Sequence, residues 1–377
     1  MHDYNFNNDY EFSRASLLNS MLQSSGIQKH LDNKDNTEIA VNRPYEIWTE
    51  SSAGWQMHEA PNLDYHTLTH LATAFATFNS LEVNNNNPIC SGVLPDGQRG
   101  QFVIPSACEA DTVSITIRQP SEIRFAFDDY INSGRLEKWI DVSVHQTANT
   151  QFPSHEAERL KEEAEEIQRL NEYLEIPKDV NLQLFELQML KAKAERDVET
   201  FVRLAVKHEQ NMCLIGATGS GKTTFTKAVC DIVPLDTRIV TIEDTHELDL
   251  PKHPNKVHLF YKDVSPKDLL KSCLRMKPDR IFLTELRGDE AYDYLNALNT
   301  GHGGSVTTVH ANDCNSAYYR IGTLIKQSEI GSKIDFEQIM RDVYTTIDVM
   351  IYLDRTFVTQ IAYDPIRKAR LLKGKKV

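Results

Sequence analysis

The sequence predicts an α+β N-terminal domain, a helical linker and an α/β C-terminal domain with a mostly parallel sheet. Three observations support this. From about Phe201 onward, short apolar runs alternate with helical stretches. Residues 216–223 read Gly-Ala-Thr-Gly-Ser-Gly-Lys-Thr, a complete G-x-x-x-x-G-K-S/T phosphate-binding loop. Before residue 140, period-two alternation and turn clusters surround one apolar-faced helical stretch. The expected boundaries are a polar extension over 1–30, the α+β domain over 31–142, the linker over 143–200 and the α/β domain over 201–377.

The first thirty residues are Asn- and Ser-rich and are expected to be partly ordered at best. Glu38–Asn42 and Glu46–Thr49 alternate about an Arg43-Pro44 turn, which suggests a hairpin. Tyr65 to Leu81 is helical in pattern, with Leu68, Leu71, Ala72, Phe75 and Phe78 on one face. Short strands are expected over Ile89–Val93, Gly100–Ile104 and Val113–Ile117, the first two joined by a Pro95-Asp96-Gly97 turn. His66 and His70 stand four apart on the helix. Thr67 replaces the glutamate of H-E-x-x-H, so an ordinary helix surface is expected there.

Gln151-Phe152-Pro153-Ser154 punctuates the linker, and charge density then rises. His155 to Glu175 predicts an amphipathic helix with a stripe of Leu160, Ala164, Ile167, Asn171 and Leu174. Pro177 ends it. A second helix is expected to run from Leu182 through Val198. The pair reads as a linker packed on a neighbouring domain; a subunit-contact element is the sharper alternative.

The loop residues have separable tasks. Glycines let the backbone curl toward phosphate oxygens. Lys222 supplies charge to the β- and γ-phosphates, and Thr223 supplies a hydroxyl to Mg²⁺. Met212–Ile215 suits a buried strand, and Thr224–Val233 suits a helix whose N-terminus faces the phosphates. The expected nucleotide-binding set is Gly216, Ala217, Thr218, Gly219, Ser220, Gly221, Lys222, Thr223 and Thr224. Three apolar runs then end in reactive side chains: Ile239–Ile242 in Glu243-Asp244, Ile281–Thr284 in Glu285, and Val306–Val309 in His310. Parallel strands would deliver all three to the sheet edge where nucleotide lies. Glu285 can hold Mg²⁺ through water or orient the attacking water.

The chain has 377 residues and a formal charge of −13, which argues against direct nucleic-acid binding by a large basic face. A local exception is the C-terminal tail, with Arg367, Lys368, Arg370, Lys373, Lys375 and Lys376. A solvated tail is the plain expectation, and contact with an acidic membrane surface is the alternative. Cysteines at 90, 108, 213, 230, 273 and 314 form no C-x-x-C pair and read as reduced thiols. No stretch approaches the ~20 apolar residues that cross a bilayer.

The combined motifs resemble those of the hexameric secretion ATPases, which power type II secretion, type IV pili and type IV secretion. The resemblance rests on Gly216–Thr224, Ile242-Glu243-Asp244-Thr245-His246-Glu247-Leu248, Leu274–Arg280, Glu285-Leu286-Arg287-Gly288 and the run from Thr300 to Asn312. Glu38–Pro44, Leu94–Arg99 and Ser114–Arg118 are similar to the N-terminal domain of the small type IV secretion branch. The missing tetracysteine module favours that branch over pilus and type II assembly ATPases. The resemblance implies a RecA-like C-terminal domain, ATP and Mg²⁺ as cofactors, and a homohexameric ring. The ring would be cytoplasmic and peripheral at the bacterial inner membrane, among type IV secretion components that include other secretion ATPases. It implies Glu285 as the carboxylate that positions water, Glu243 as a second acidic group and His310 as a γ-phosphate sensor. Lys222, Arg99 and Arg118 would stabilise the transferring phosphoryl group, and Thr223 and Glu285 would serve the metal. Thr284 stands where the family commonly has Gly, and Gly303 where Pro is common. A nucleic-acid motor and a ring that binds ATP without turnover are the competing classes.

Overall fold

This computed structural model describes residues 6–120, 126–136 and 154–375. The expected boundary at 142/143, Trp139 and the Gln151–Pro153 turn lie outside the described residues, as does Lys376.

The N-terminal half is a six-stranded antiparallel sheet backed by helices. Its order along the chain is α1 (Phe6–Ser25), α2 (Ile27–Leu31), β1 (Glu38–Val41), β2 (Glu46–Ser51), β3 (Gly54–Glu59), α3 (Tyr65–Phe78), β4 (Ile89–Val93), β5 (Arg99–Val103), β6 (Ser114–Arg118) and α4 (Phe127–Asn132). The strands lie in the order β3-β2-β1-β6-β5-β4. Asp64 caps α3 by accepting from the Thr67 N–H. Leu68, Leu71 and Phe75 of α3 meet Ile39, Ile115 and Phe102 in the core. The extension is not the loosely ordered tail that its polarity predicts. Leu18 and Leu22 of α1, with Ile27 and Leu31 of α2, are buried in the same core. β3 is a further departure: it is an edge strand, mostly solvent-facing, and carries no clean apolar alternation.

Two helices occupy the expected linker, α5 (Ser154–Tyr173) and α6 (Leu184–Ala194). The expected second helix breaks before Val198. Arg196 takes φ 62°, and Asp197 starts a new helix, α7 (Val198–Lys207), by accepting from the Thr200 N–H. Ile167, Leu170 and Leu174 pack with Val180, Leu182 and Leu187 and with Ile366 and Ala369 near the C-terminus.

The C-terminal half alternates strands and helices: β7 (Met212–Ile215), α8 (Lys222–Cys230), β8 (Ile239–Glu243), β9 (Lys256–Phe260), α9 (Pro266–Cys273), β10 (Arg280–Leu283), α10 (Glu290–Leu298), β11 (Val306–Val309), α11 (Cys314–Gln327), α12 (Phe336–Thr346), β12 (Val349–Asp354), β13 (Phe357–Tyr363) and α13 (Pro365–Leu372). β10-β8-β9 form one parallel ladder, and β11-β7-β12 a second, extended by antiparallel β13. The Leu286 N–H, just past β10, donates to Thr308 O of β11 at 2.9 Å and joins the two ladders. β7, β8, β10 and β11 are buried along their whole length, as parallel strands covered on both faces must be.

The two halves meet along a polar seam. Arg238 is fully buried and donates to Asn42 Oδ1 (2.8 Å), Asn255 Oδ1 (2.5 Å) and Met276 O (2.9 Å). Gln101 donates to Ser272 Oγ at 2.9 Å, and Lys277 pairs with Glu50 at 3.0 Å. The Phe260 N–H reaches Ala107 O, so the chain after β5 flanks the β9 edge.

Candidate nucleotide site

β7 delivers the chain to the carboxyl edge of the sheet, and the phosphate loop turns there. Gly216 has φ 153°, and a Cβ on it would stand 2.4 Å from Ser220 Oγ and 2.5 Å from Leu353 O. Gly221 caps α8 in the left-handed region at φ 88°. Both positions therefore require glycine.

A cavity of about 520 Å³ opens over this loop. It is lined by Thr218–Thr224, and opposite them by Asp244, Glu247, Glu285, Arg287 and His310. Lys222 is mostly buried, and its Nζ donates to Gly216 O (2.7 Å) and Ala217 O (2.9 Å). Burial lowers its pKa, and the nearby Glu285 charge works the other way. Thr223 Oγ1 donates to Glu247 Oε2 at 2.8 Å. Glu285 stands 3.3 Å from His310 Nε2 and 2.8 Å from Arg287 Nη2. Arg287 reaches across to Asp244 at 2.8 Å. The carboxylates hold the Arg287 pKa above its ordinary value, chiefly through the Glu285 hydrogen bond.

The chemistry of this donor set fits a nucleotide triphosphate with a divalent cation. A lysine and a glycine-rich turn at a helix N-terminus suit phosphate oxygens. A threonine hydroxyl beside two carboxylates suits a hard cation.

The known proteins agree with that chemistry. The family model described as Type II/IV secretion system protein matches residues 174–351. The Type IV secretion system protein VirB11 of Brucella suis is 37% identical over 374 residues, covering 95% of this chain and 93% of that protein. The chain belongs to the VirB11 family of type IV secretion ATPases. PtlH, a type IV secretion system protein of Bordetella pertussis, is 32% identical and covers 92% of this chain and 93% of its own length. The crystal structure of the Brucella suis VirB11 ATPase in complex with sulphate superposes with a TM-score of 0.82 at 36% identity, covering 97% of this chain and 99% of that one. The VirB11 fold, with its RecA-like C-terminal half, is thus the fold of this chain.

Not every residue singled out by the VirB11-type motifs reaches the cavity. Thr218–Thr224, Glu285 and His310 line it, while Gly216 and Ala217 contribute carbonyls behind Lys222. Glu243 lies behind it, fully buried. Its Oε2 accepts from the Glu247 and Leu248 N–H groups at 2.9 Å each, and its Oε1 from Thr241 Oγ1 at 2.6 Å. Burial would raise its pKa, but these bonds and His258 leave it lowered. Glu243, His246 and His258 have ligand-type atoms within 4.8 Å of one another. With both Glu243 oxygens already engaged, the group reads as a hydrogen-bonded network. Arg99 and Arg118 are paired across β5 and β6 and line a separate cavity of about 350 Å³ with Ser91, Gln101 and Arg275. Arg118 also donates to Glu38 at 2.5 Å.

Sequence reasoning missed Glu247 and Arg287 as members of the cavity, and preferred Glu243 to the adjoining strand-end acid Asp244, which lines it. All three stand inside motifs that carry the family resemblance, beside residues that were chosen. The tail was also misjudged. Arg370 and Lys375 pair with Asp179, Lys368 pairs with Asp348, and Arg367 lies over the Tyr344 ring at 4.0 Å. These cations are engaged within the chain and are not a free patch.

Proposed function

We propose that this chain is a Mg²⁺-dependent ATPase, working as a homohexameric ring at the cytoplasmic face of the bacterial inner membrane. Its hydrolysis would drive substrate transfer or pilus assembly by a type IV secretion system. The carrying observation is that one cavity assembles the phosphate loop, Thr223, Glu247, Glu285, Arg287 and His310. Family membership supports the same reading.

Lys222 would exchange its bonds to Gly216 O and Ala217 O for phosphate oxygens, a charge-assisted replacement of two neutral acceptors. Thr223, with Glu247 and Glu285 nearby, would hold the Mg²⁺, which supplies neutralising charge on the phosphates. Glu285 would orient the attacking water. Arg287 and His310 flank that carboxylate, and His310 would sense the γ-phosphate. Thr284 lines the same cavity, and its hydroxyl donates to Ile242 O at 3.3 Å.

Arg99 and Arg118 would reach phosphate only after the N-terminal half moves, or from a neighbouring copy, because the cavity they line excludes the phosphate loop. Wild-type turnover in an Arg99→Ala, Arg118→Ala double variant would remove them from the mechanism.

The whole reading is tested by light scattering and phosphate release on the same sample, with and without Mg²⁺-ATP. A hexamer whose turnover vanishes in Lys222→Ala supports it. A monomer without turnover under every condition contradicts it.

A further inference from the structure

A buried polar cluster lies behind the cavity wall and touches none of the cavity's space. Thr241 and His258 are paired across the parallel strands β8 and β9. His258 is 2% exposed, and its Nδ1 lies 2.8 Å from Thr241 Oγ1 and 3.2 Å from Glu243 Oε1. Its Nε2 is buried without a hydrogen-bond partner. An orphaned buried N–H is rarer and costlier than an unfilled lone pair, so the proton belongs on Nδ1, pointed at Thr241 and Glu243. The His246 ring lies against His258, tilted by 41° with centroids 4.5 Å apart.

Glu243 passes this constraint onward. Its other oxygen holds the N–H groups of Glu247 and Leu248, which fixes the backbone beneath the Glu247 side chain. Glu247 in turn accepts from the Thr223 hydroxyl. The chain His258–Thr241–Glu243–Glu247–Thr223 therefore runs from the sheet interior to the place where the cation would be held.

We propose that His258 is a positioning residue for the cation step: with Thr241 and Glu243 it holds the 243–248 loop so that Glu247 stands beside the Thr223 hydroxyl. This rests on the Mg²⁺-ATPase reading above. Glu243, on this view, contributes by shaping the loop.

The test is the free-Mg²⁺ dependence of fluorescent ATP-analogue binding, read without turnover, and of steady-state turnover at saturating ATP, with folding checked by thermal melting. His258→Ala should raise the Mg²⁺ concentration for half-maximal binding and turnover about tenfold, as loss of a partner behind a metal ligand commonly does. The KM for ATP at saturating Mg²⁺ should change less than about twofold. His258→Asn, whose amide can stand in for Nδ1–H, should restore most of the loss. Thr241→Val should act like His258→Ala and serves if that variant does not fold. The Glu247→Gln, His258→Ala pair should be no worse than Glu247→Gln alone, since both act on one contact.

A folded His258→Ala with wild-type Mg²⁺ dependence overturns the proposal, provided Lys222→Ala and Glu247→Gln are impaired as expected. Losses that multiply in the double variant also overturn it. Full turnover in Lys222→Ala and Glu247→Gln would instead overturn the ATPase reading on which it rests.

Discussion

Arg238 is the single side chain whose loss should most weaken the contact between the two halves. Its guanidinium is fully buried, and burial pushes its pKa down to about 10, still charged at neutral pH. It has four acceptors: Met276 O and Asn255 Oδ1 in the C-terminal half, and Asn42 Oδ1 and, at 3.4 Å, Thr116 Oγ1 in the N-terminal half. Arg238→Met keeps most of the volume and strands these acceptors. A stranded buried acceptor costs about 1–3 kcal/mol. Asn42 Nδ2 still donates to Asn255 Oδ1 at 3.0 Å, and Thr116 is weakly held, so about two full penalties remain. The expected loss is roughly 2–6 kcal/mol, two such penalties, which spans the range for breaking a buried charged network. Trp48 and Trp55 belong to the N-terminal sheet, and Arg238 sits 5.1 Å from the Trp55 ring, so tryptophan fluorescence reports on that side of the seam. Urea unfolding followed by fluorescence and by circular dichroism should show the variant melting earlier, with the fluorescence transition moving most. A shift below about 0.5 kcal/mol by either probe, the range of an ordinary surface change, would refute the reasoning.

Other outcomes follow from the same geometry. Gly216→Ala should lose nucleotide binding in a fluorescent-nucleotide titration, because its Cβ would meet Leu353 O at 2.5 Å in a region that alanine avoids. Asp179→Ala should loosen α13 from the linker, seen as faster proteolytic release of the tail, since Arg370 and Lys375 both bond to its carboxylate, while the Lys373 bond to the Asp179 carbonyl remains. The Asp179 pKa is held below its ordinary value, chiefly by Arg370. The contact is therefore complete above the unfolded value near ~3.9 and is lost only as pH falls through the lower folded value; release in wild type should not change between pH 5 and 8. All six cysteines are buried, and burial pushes Cys90 and Cys314 up to about 11 and Cys108 and Cys230 up to about 12. A thiol reagent at pH 8 should label none until denaturant is added.

What could be read in advance depended on how tightly local chemistry constrains the residue. The phosphate loop was legible because its backbone admits only glycine at particular places, and because a buried apolar strand must precede it. The fully buried strands β7, β8, β10 and β11 were legible for the same reason. Edge strands β3 and β13 were not, since solvent-facing residues carry little pattern. α1 escaped because only a few apolar residues, Leu18 and Leu22 among them, carry its packing. The choice among Glu243, Asp244 and Glu247 could not be made from spacing alone. It turns on His258, far along the chain, which pairs with Thr241 and draws Glu243 inward. The two further acids in Glu243-Asp244-Thr245-His246-Glu247 were the available signal. The positions of Arg99 and Arg118 depend on how the two halves dock, which no local motif encodes.

The central claim is that Glu285 acts on water in a cavity whose phosphate grip is made elsewhere. Its most direct test is Glu285→Gln, measured for both ATP binding and phosphate release. Binding should persist within a few-fold while turnover falls by about a hundredfold or more, the loss expected when a transition-state contact is removed. Turnover near wild type in a variant that binds ATP normally would contradict it.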